Sequence, residues 1–270
     1  MKRADPMPGK IDDILPNHVK DKLARGEVVS SMTVRLVRGV EIARIAKTAG
    51  FDSLYVDMEH ASFSLDTTGQ ICMAALDAGI TPLVRVPGVA EVSRVLDGGA
   101  LGIIAPHVRS AAEAKEYVRA AKFPPLGDRS AAGPLPHLQY RSFPAAEADA
   151  ALNAATLLMV QFESENALAR ADEIAAVEGV DMVMIGSNDL LADWGLAGQY
   201  EHARCMRLMR KPSPPAASTV SMSASAGYRR GRSSPPRSCA WVRAMSRPAP
   251  ISDSCWRPAP RKRRKSGRSS

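Results

Sequence analysis

Two short apolar runs in this chain each end in an acid. Leu157-Leu158-Met159-Val160-Gln161-Phe162 closes on Glu163, and Asp181-Met182-Val183-Met184-Ile185-Gly186-Ser187-Asn188 closes on Asp189. A strand buried on both faces reads this way when it delivers a carboxylate to the carboxyl end of a parallel sheet. Taken singly, such an acid is more often a helix cap or a solvated loop residue than a ligand. As a pair on consecutive strand–helix units, the two meet at one rim. With water or substrate oxygens in the remaining positions they suit a hard divalent cation such as Mg²⁺ or Mn²⁺.

The elements that must position them follow from the pattern of the chain. Val28–Val34, Phe51–Asp57, Thr81–Val86, Leu101–Pro106, Leu157–Phe162 and Asp181–Ile185 read as strands. Asn17–Arg25, Gly39–Ala49, Thr67–Ala78, Val89–Leu96, the run from Ser110 to about Ala121, and Asn166–Val177 read as helices. Gly26, Gly50 and Gly79 follow three of these helices as C-terminal stops. Ser110 with Glu113 three residues on has the spacing of a capping box. The connection from Phe123 to Pro144 is too long for a plain loop and is a candidate lid or substrate loop. Strict alternation of strand and helix predicts a parallel sheet with right-handed crossovers, either an open doubly wound sheet or a (β/α)₈ barrel. No GxGxxG follows the first strand, so dinucleotide binding has no support. In a barrel the chemistry lies at the carboxyl ends of the strands, where Asp57, Glu59, His60, Arg85, Gln161, Glu163 and Asp189 gather.

Composition divides the chain. Residues 205–270 hold 16 Lys+Arg against the single acid Asp253, a formal +15, which leaves −7 on residues 1–204. Three of the four cysteines fall in that tail without metal-ligand spacing, so neither a disulfide framework nor a zinc site is expected. No stretch approaches about 18 consecutive apolar residues, and the N-terminus lacks the apolar core of a signal peptide; a cytoplasmic protein is expected.

Six segments, in order, resemble the HpcH/HpaI aldolase family of metal-dependent (class II) pyruvate aldolases. They are Ala49-Gly50-Phe51-Asp52 leading to Asp57-Met58-Glu59-His60-Ala61, Pro82-Leu83-Val84-Arg85-Val86-Pro87, Leu96-Asp97-Gly98-Gly99-Ala100, Phe123-Pro124-Pro125-Leu126-Gly127-Asp128-Arg129, Gln161-Phe162-Glu163 and Gly186-Ser187-Asn188-Asp189-Leu190. The resemblance covers about residues 20–203. It implies reversible cleavage of a 4-hydroxy-2-oxo acid to pyruvate and an aldehyde on a (β/α)₈ barrel. By the same resemblance Glu163 and Asp189 would hold Mg²⁺, Mn²⁺ or Co²⁺, and Arg85 would face the keto oxygen. His60 would be the acid/base, braced by Asp97, while Gln161, Ser187 and Asn188 would line the pyruvate pocket. Asn188 stands where the family usually has a small residue. His107 also follows a strand and is given no role.

The residue types suit that chemistry in their own right. Cleaving a carbon–carbon bond beside a carbonyl leaves an enolate, whose charge needs a Lewis acid and a fixed cation nearby. No lysine sits at these strand ends, so a Schiff base is disfavoured.

Residues 1–16 are polar and proline-bearing and are expected to be loose; 17–204 form the barrel domain, incomplete by two units. Residues 205–270, with nine Pro and fourteen Ser, contain no further strand–helix unit and have the composition of a disordered segment. The run Arg261-Lys262-Arg263-Arg264-Lys265 is the densest part of what would otherwise be a nucleic-acid-binding arm. A third reading makes the tail the product of a shifted frame beginning near Arg204. Met245–Trp256 read in one offset permits YVSAGTDIRFLL, Ser218–Tyr228 permits DGKHVGVGGL and Cys205–Pro215 permits HAAYAKAIAA, which resemble the missing strands and a helix. A chain cut off from its last barrel units is expected to be unstable and weakly active. Its partners are a small 2-oxo acid and an aldehyde, with no membrane and no nucleic acid. The resemblance implies a hexamer, which loss of the last helix would undo. The alternatives are a citrate-lyase-like CoA-thioester lyase on the same barrel and a non-catalytic protein that binds nucleic acid through its tail.

Overall fold

Leu157–Phe162 (β5) is buried at all six positions and Met182–Gly186 (β6) at all five, as strands covered on both faces must be. They belong to a computed structural model that describes residues 11, 15, 17–210, 219–223 and 240–244. Four more strands precede them: β1 (Val28–Val34), β2 (Ser53–Asp57), β3 (Thr81–Arg85) and β4 (Gly102–Ala105). Each pairs in parallel with the next, and the six curl into most of a barrel wall. Helices lie between them, and Val34, Val56, Val84, Ile103, Val160 and Val183 pack outward against Ala46, Ile71, Leu96, Val118 and Ile174 of those helices. Each of the Val, Ile and Leu side chains among these, removed from water, contributes about 1.5–3 kcal/mol before chain entropy is counted.

Alternation along the strands settles what points inward. Val29, Tyr55, Leu83, Ile104, Leu157, Met159, Met182 and Met184 form a second apolar cluster inside the wall. Val19 and Leu23 of the helix His18–Ala24 join it and close its lower end. The same period of two carries the inward row on to Asp57, Arg85, Gln161 and Glu163 at the upper end. The site residues are thus the polar top layer of the apolar barrel interior.

Several expectations change. Ile11 and Leu15, placed in a loose N-terminus, are buried with Leu101, Phe123, Leu135, Leu138 and Leu152. An apolar pair four residues apart has a helical face to bury, and Leu15 N–H donates to the Ile11 carbonyl. The long connection is not a lid. Phe123, Leu135 and Leu138 pack against Leu101 and Ala155, which lie one and two residues before β4 and β5, so the segment is pinned at the end of the barrel opposite the acids. Arg129 stacks on Phe123 at 4.6 Å, and a ring nitrogen of the buried His137 meets the Ala100 carbonyl at 2.9 Å. A helix not foreseen in the sequence, Ala145–Ala155, then leads back into β5.

Beyond β6 the helix Ala203–Arg210 crosses the domain boundary set at 204, and two strands follow where none was expected. Thr219–Ser223 (β7) pairs in parallel with β6; Ala240–Ala244 (β8) runs antiparallel to both β7 and β1 and closes the sheet. Eight parallel strands are therefore not what closes this barrel. The remaining tail, including the basic run at 261–265, and most of residues 1–16 lie outside the described residues. Among the described residues no helix is long and apolar enough to cross a membrane. Cys72 and Cys205 are free thiols, and burial pushes Cys72 up to about 12.

Candidate active site

Asp57 is the hinge of the upper layer. It ends β2 directly opposite Arg85 on β3. The Arg85 guanidinium donates through Nε to Asp57 Oδ1 at 3.0 Å and through Nη2 to Oδ2 at 2.6 Å, a two-pronged pair closed off from water. Oδ1 also accepts the backbone N–H groups of Glu59 and His60, both at 3.2 Å, which turns the chain sharply after the strand. Burial pushes the Asp57 carboxyl up, but the Arg85 bonds outweigh it and hold the group below the usual carboxylate range. Asp57 is therefore a buttress for Arg85 and for the following turn.

That turn brings Glu59 back over the barrel mouth. Its Oε2 stands 3.1 Å from Arg85 Nη1 and 3.7 Å from His60 Nε2; its Oε1 stands 2.7 Å from His107 Nε2. His60 is half exposed at the mouth. Neither Glu59 nor His107 was expected in the site beyond Glu59's place at the rim.

Glu163 leaves β5 almost fully buried. Gln161, two residues earlier on the same face, donates to its Oε1 at 2.7 Å. Oε2 accepts the His107 backbone N–H at 3.0 Å and faces His107 Nδ1 at 2.7 Å. The imidazole thus stands between two acids, and both ring nitrogens can donate at once only when the ring carries both protons. Burial, with the charges of Glu59 and Asp189 adding to it and His107 opposing, raises Glu163 to about 7. His107 reaches this position through a left-handed backbone, φ 55°, which reverses the side it would otherwise face after β4.

Gly186 brings β6 up against Glu163. A Cβ there would lie 2.4 Å from Glu163 Cγ and 2.6 Å from its Oε1, so only glycine lets β6 approach the Glu163 carboxylate this closely. The helix Ser187–Asp193 starts at once, with Ser187 buried and Asp189 exposed in its first turn. Asn188 accepts a hydrogen bond from the Tyr200 hydroxyl. Among the described residues the Asp97 carboxylate takes Arg129 Nη2 at 2.6 Å, and no contact of Asp97 with His60 is seen there. The cause is the pinned connection, which brings Arg129 up to the end of the helix Val92–Asp97.

The donor set fits a cation. Gln161 Oε1 is a buried acceptor without a hydrogen-bond partner among the described residues, and Glu163 is an acid held against its own ionisation. Among the described residues no group of three or more His, Cys, Asp or Glu is arranged to hold a metal, so two carboxylates would leave most positions to water or substrate.

A curled parallel α/β wall with this acid-and-arginine rim places the protein in one class. Residues 38–226 match the HpcH/HpaI aldolase/citrate lyase family, and the chain belongs to it; the match runs on past Arg204. The chain is 42% identical over 192 residues to the 4-hydroxy-4-methyl-2-oxoglutarate aldolase tasA of Hapsidospora irregularis, covering 70% of this chain and 71% of that one. It is 32% identical over 198 residues to the 2-keto-3-deoxy-L-rhamnonate aldolase of Escherichia coli, covering 73% of each. Among solved structures, the HpcH/HpaI aldolase from Desulfitobacterium hafniense DCB-2 superposes with a TM-score of 0.68 at 37% identity, covering 71% of this chain and 74% of that one.

Proposed function

We propose that this protein is a carbon–carbon lyase that reversibly cleaves a 4-hydroxy-2-oxo acid into pyruvate and a second carbonyl compound. The relative from Hapsidospora irregularis is a 4-hydroxy-4-methyl-2-oxoglutarate aldolase, and that dicarboxylate, which would split into two pyruvates, is the substrate to try first. The reading is carried by the way Arg85, fixed by Asp57, and Glu163, fixed by Gln161 and His107, are turned to one mouth.

In the cleavage the C3–C4 bond breaks, its electron pair passes to the pyruvyl half as an enolate, and C4 becomes the carbonyl carbon of the other product. The proton of the 4-hydroxyl leaves to His60, the half-exposed base of the mouth, and a proton returns to C3 of the enolate. Arg85 keeps a fixed positive charge beside the developing enolate oxygen, and because Asp57 already orients it, no reorganisation is needed when that charge appears. Glu163 and Asp189 would hold a divalent cation, Mg²⁺, Mn²⁺ or Co²⁺. When bound, that cation supplies Lewis-acid stabilisation of the same negative charge. Gln161 and the amino end of the helix Ser187–Asp193, with Asn188 beside it, would line the pyruvate end. No role is proposed for Asp97.

The test is pyruvate release from 4-hydroxy-4-methyl-2-oxoglutarate with Mg²⁺ or Mn²⁺. Release that stops with EDTA and with Glu163→Ala supports the proposal. Release untouched by either change contradicts it.

A further inference from the structure

Arg35 stands one residue beyond β1 on the row that includes Val29 and Ser31, the residues of β1 that face the barrel interior. The register pairs Val34 with Val56 and Asp57 with Arg85, so Arg35, Asp57 and Arg85 form one rung across three neighbouring strands. The side chains follow the rung: Arg35 Nε lies 3.2 Å from Asp57 Oδ2, the oxygen that also takes Arg85 Nη2. Arg35 Nη2 donates to the His60 carbonyl at 3.3 Å. Two guanidinium groups thus flank one carboxylate, and the outer one touches the backbone of the proposed base.

The two arginines are spent differently. Arg85 is buried and committed to Asp57 and Glu59. Arg35 is 47% exposed in its side chain, and its Nη1 has no partner among the described residues. The next arginine along, Arg38, is occupied by Ser62, to which it donates at 2.9 Å twice, and by the Phe63 ring at 5.2 Å. An arginine with a free edge in a polar rim is a carboxylate reader, because its planar fork matches the two oxygens of the acid.

From these positions we infer that Arg35 recognises a carboxylate carried on C4 of the substrate and makes the enzyme selective for 4-hydroxy-2-oxo dicarboxylates. The inference rests on the aldolase reading above. If His60 takes the 4-hydroxyl proton, the other substituents of C4 lie beside the residue bonded to the His60 carbonyl, and that residue is Arg35.

A pair of inert probes tests this apart from turnover. 2-Oxoglutarate and 2-oxopentanoate share a five-carbon chain and a 2-oxo acid end and differ at C5, carboxylate against methyl. Titration calorimetry of the full chain with Mn²⁺ is expected to show 2-oxoglutarate binding about 10–100-fold tighter. Arg35→Gln should erase that preference while holding 2-oxopentanoate within about threefold, and Arg35→Lys should restore part of it. If Arg35→Gln weakens both ligands alike, Arg35 acts only by supporting Asp57 and the inference is overturned. It is also overturned if the preference survives Arg35→Gln, since another cation then reads the carboxylate. If neither 2-oxo acid binds the wild-type chain, the aldolase reading itself fails, and the inference with it.

Discussion

His107 holds Glu163 twice through one oxygen: its backbone N–H and its ring Nδ1 reach Oε2 at 3.0 and 2.7 Å. The pair is the junction of the site, because the other ring nitrogen reaches Glu59, which in turn meets Arg85.

The junction sets a pH dependence. Glu163 must be ionised to hold a cation, and burial raises it to about 7, so the Mn²⁺ affinity of the protein is expected to fall as pH drops through that value. His107 opposes the rise. Removing its ring in His107→Ala should therefore move the loss of Mn²⁺ binding to higher pH, by about one unit. Mn²⁺ titration followed by electron paramagnetic resonance between pH 5.5 and 8.5 reads this, and a shift to lower pH would contradict it.

Asp57 is expected to matter for stability as well as for rate. Asp57→Ala removes both hydrogen bonds to the buried Arg85 guanidinium and leaves it Glu59 alone, a loss of about 3–5 kcal/mol. Urea unfolding should show that drop in the variant, while Asp128→Ala, which removes an exposed acid paired with the exposed Arg119, should cost less. Equal losses would mean that the Asp57–Arg85 pair has no special weight.

Gly186→Ala separates fold from site. The backbone there has φ −81°, which alanine accepts, but its Cβ would press on Glu163. Far-UV circular dichroism is expected to stay that of the parent, while Mn²⁺ affinity falls at least about tenfold as the carboxylate is displaced, a change worth about 1.4 kcal/mol. Unaltered affinity would show that Glu163 does not depend on the close approach of β6.

The segment after Arg204 yields a genetic prediction. If its basic composition comes from a shifted frame, sequencing codons 200–210 will show an unsupported junction. Restoring the other frame will then raise soluble yield and aldolase activity. A well-supported continuous frame would remove that explanation.

How much of this was legible depended on whether the controlling interaction was local. Gln161 and Glu163 stand out because strand alternation puts them on one face, and Asp57 and Arg85 because each ends a strand. His107 did not, because its inward direction comes from a left-handed φ that breaks the alternation, and nothing in Pro106-His107-Val108 announces it. A non-glycine residue just beyond a strand end, at the rim where acids gather, was the only signal available. The pairing of Asp97 with Arg129 was not legible because it depends on 31 intervening residues folding back. The lid reading failed for a related reason: a proline-rich stretch looks like a free loop until Leu135, His137 and Leu138 are seen buried beneath the barrel. The alanine-rich helix Ala145–Ala155 buries only Leu152 and Ala155, too few apolar positions to mark a face.

Glu163 and Asp189 are proposed to share one cation at the mouth where Arg85 is fixed. The most direct test is anomalous diffraction at the manganese edge from crystals grown with Mn²⁺ and pyruvate. The account predicts a single strong peak about 2.0–2.3 Å from an oxygen of each acid, with the pyruvate keto oxygen toward Arg85. A peak that touches only one of the two acids, or none at this rim, would contradict it.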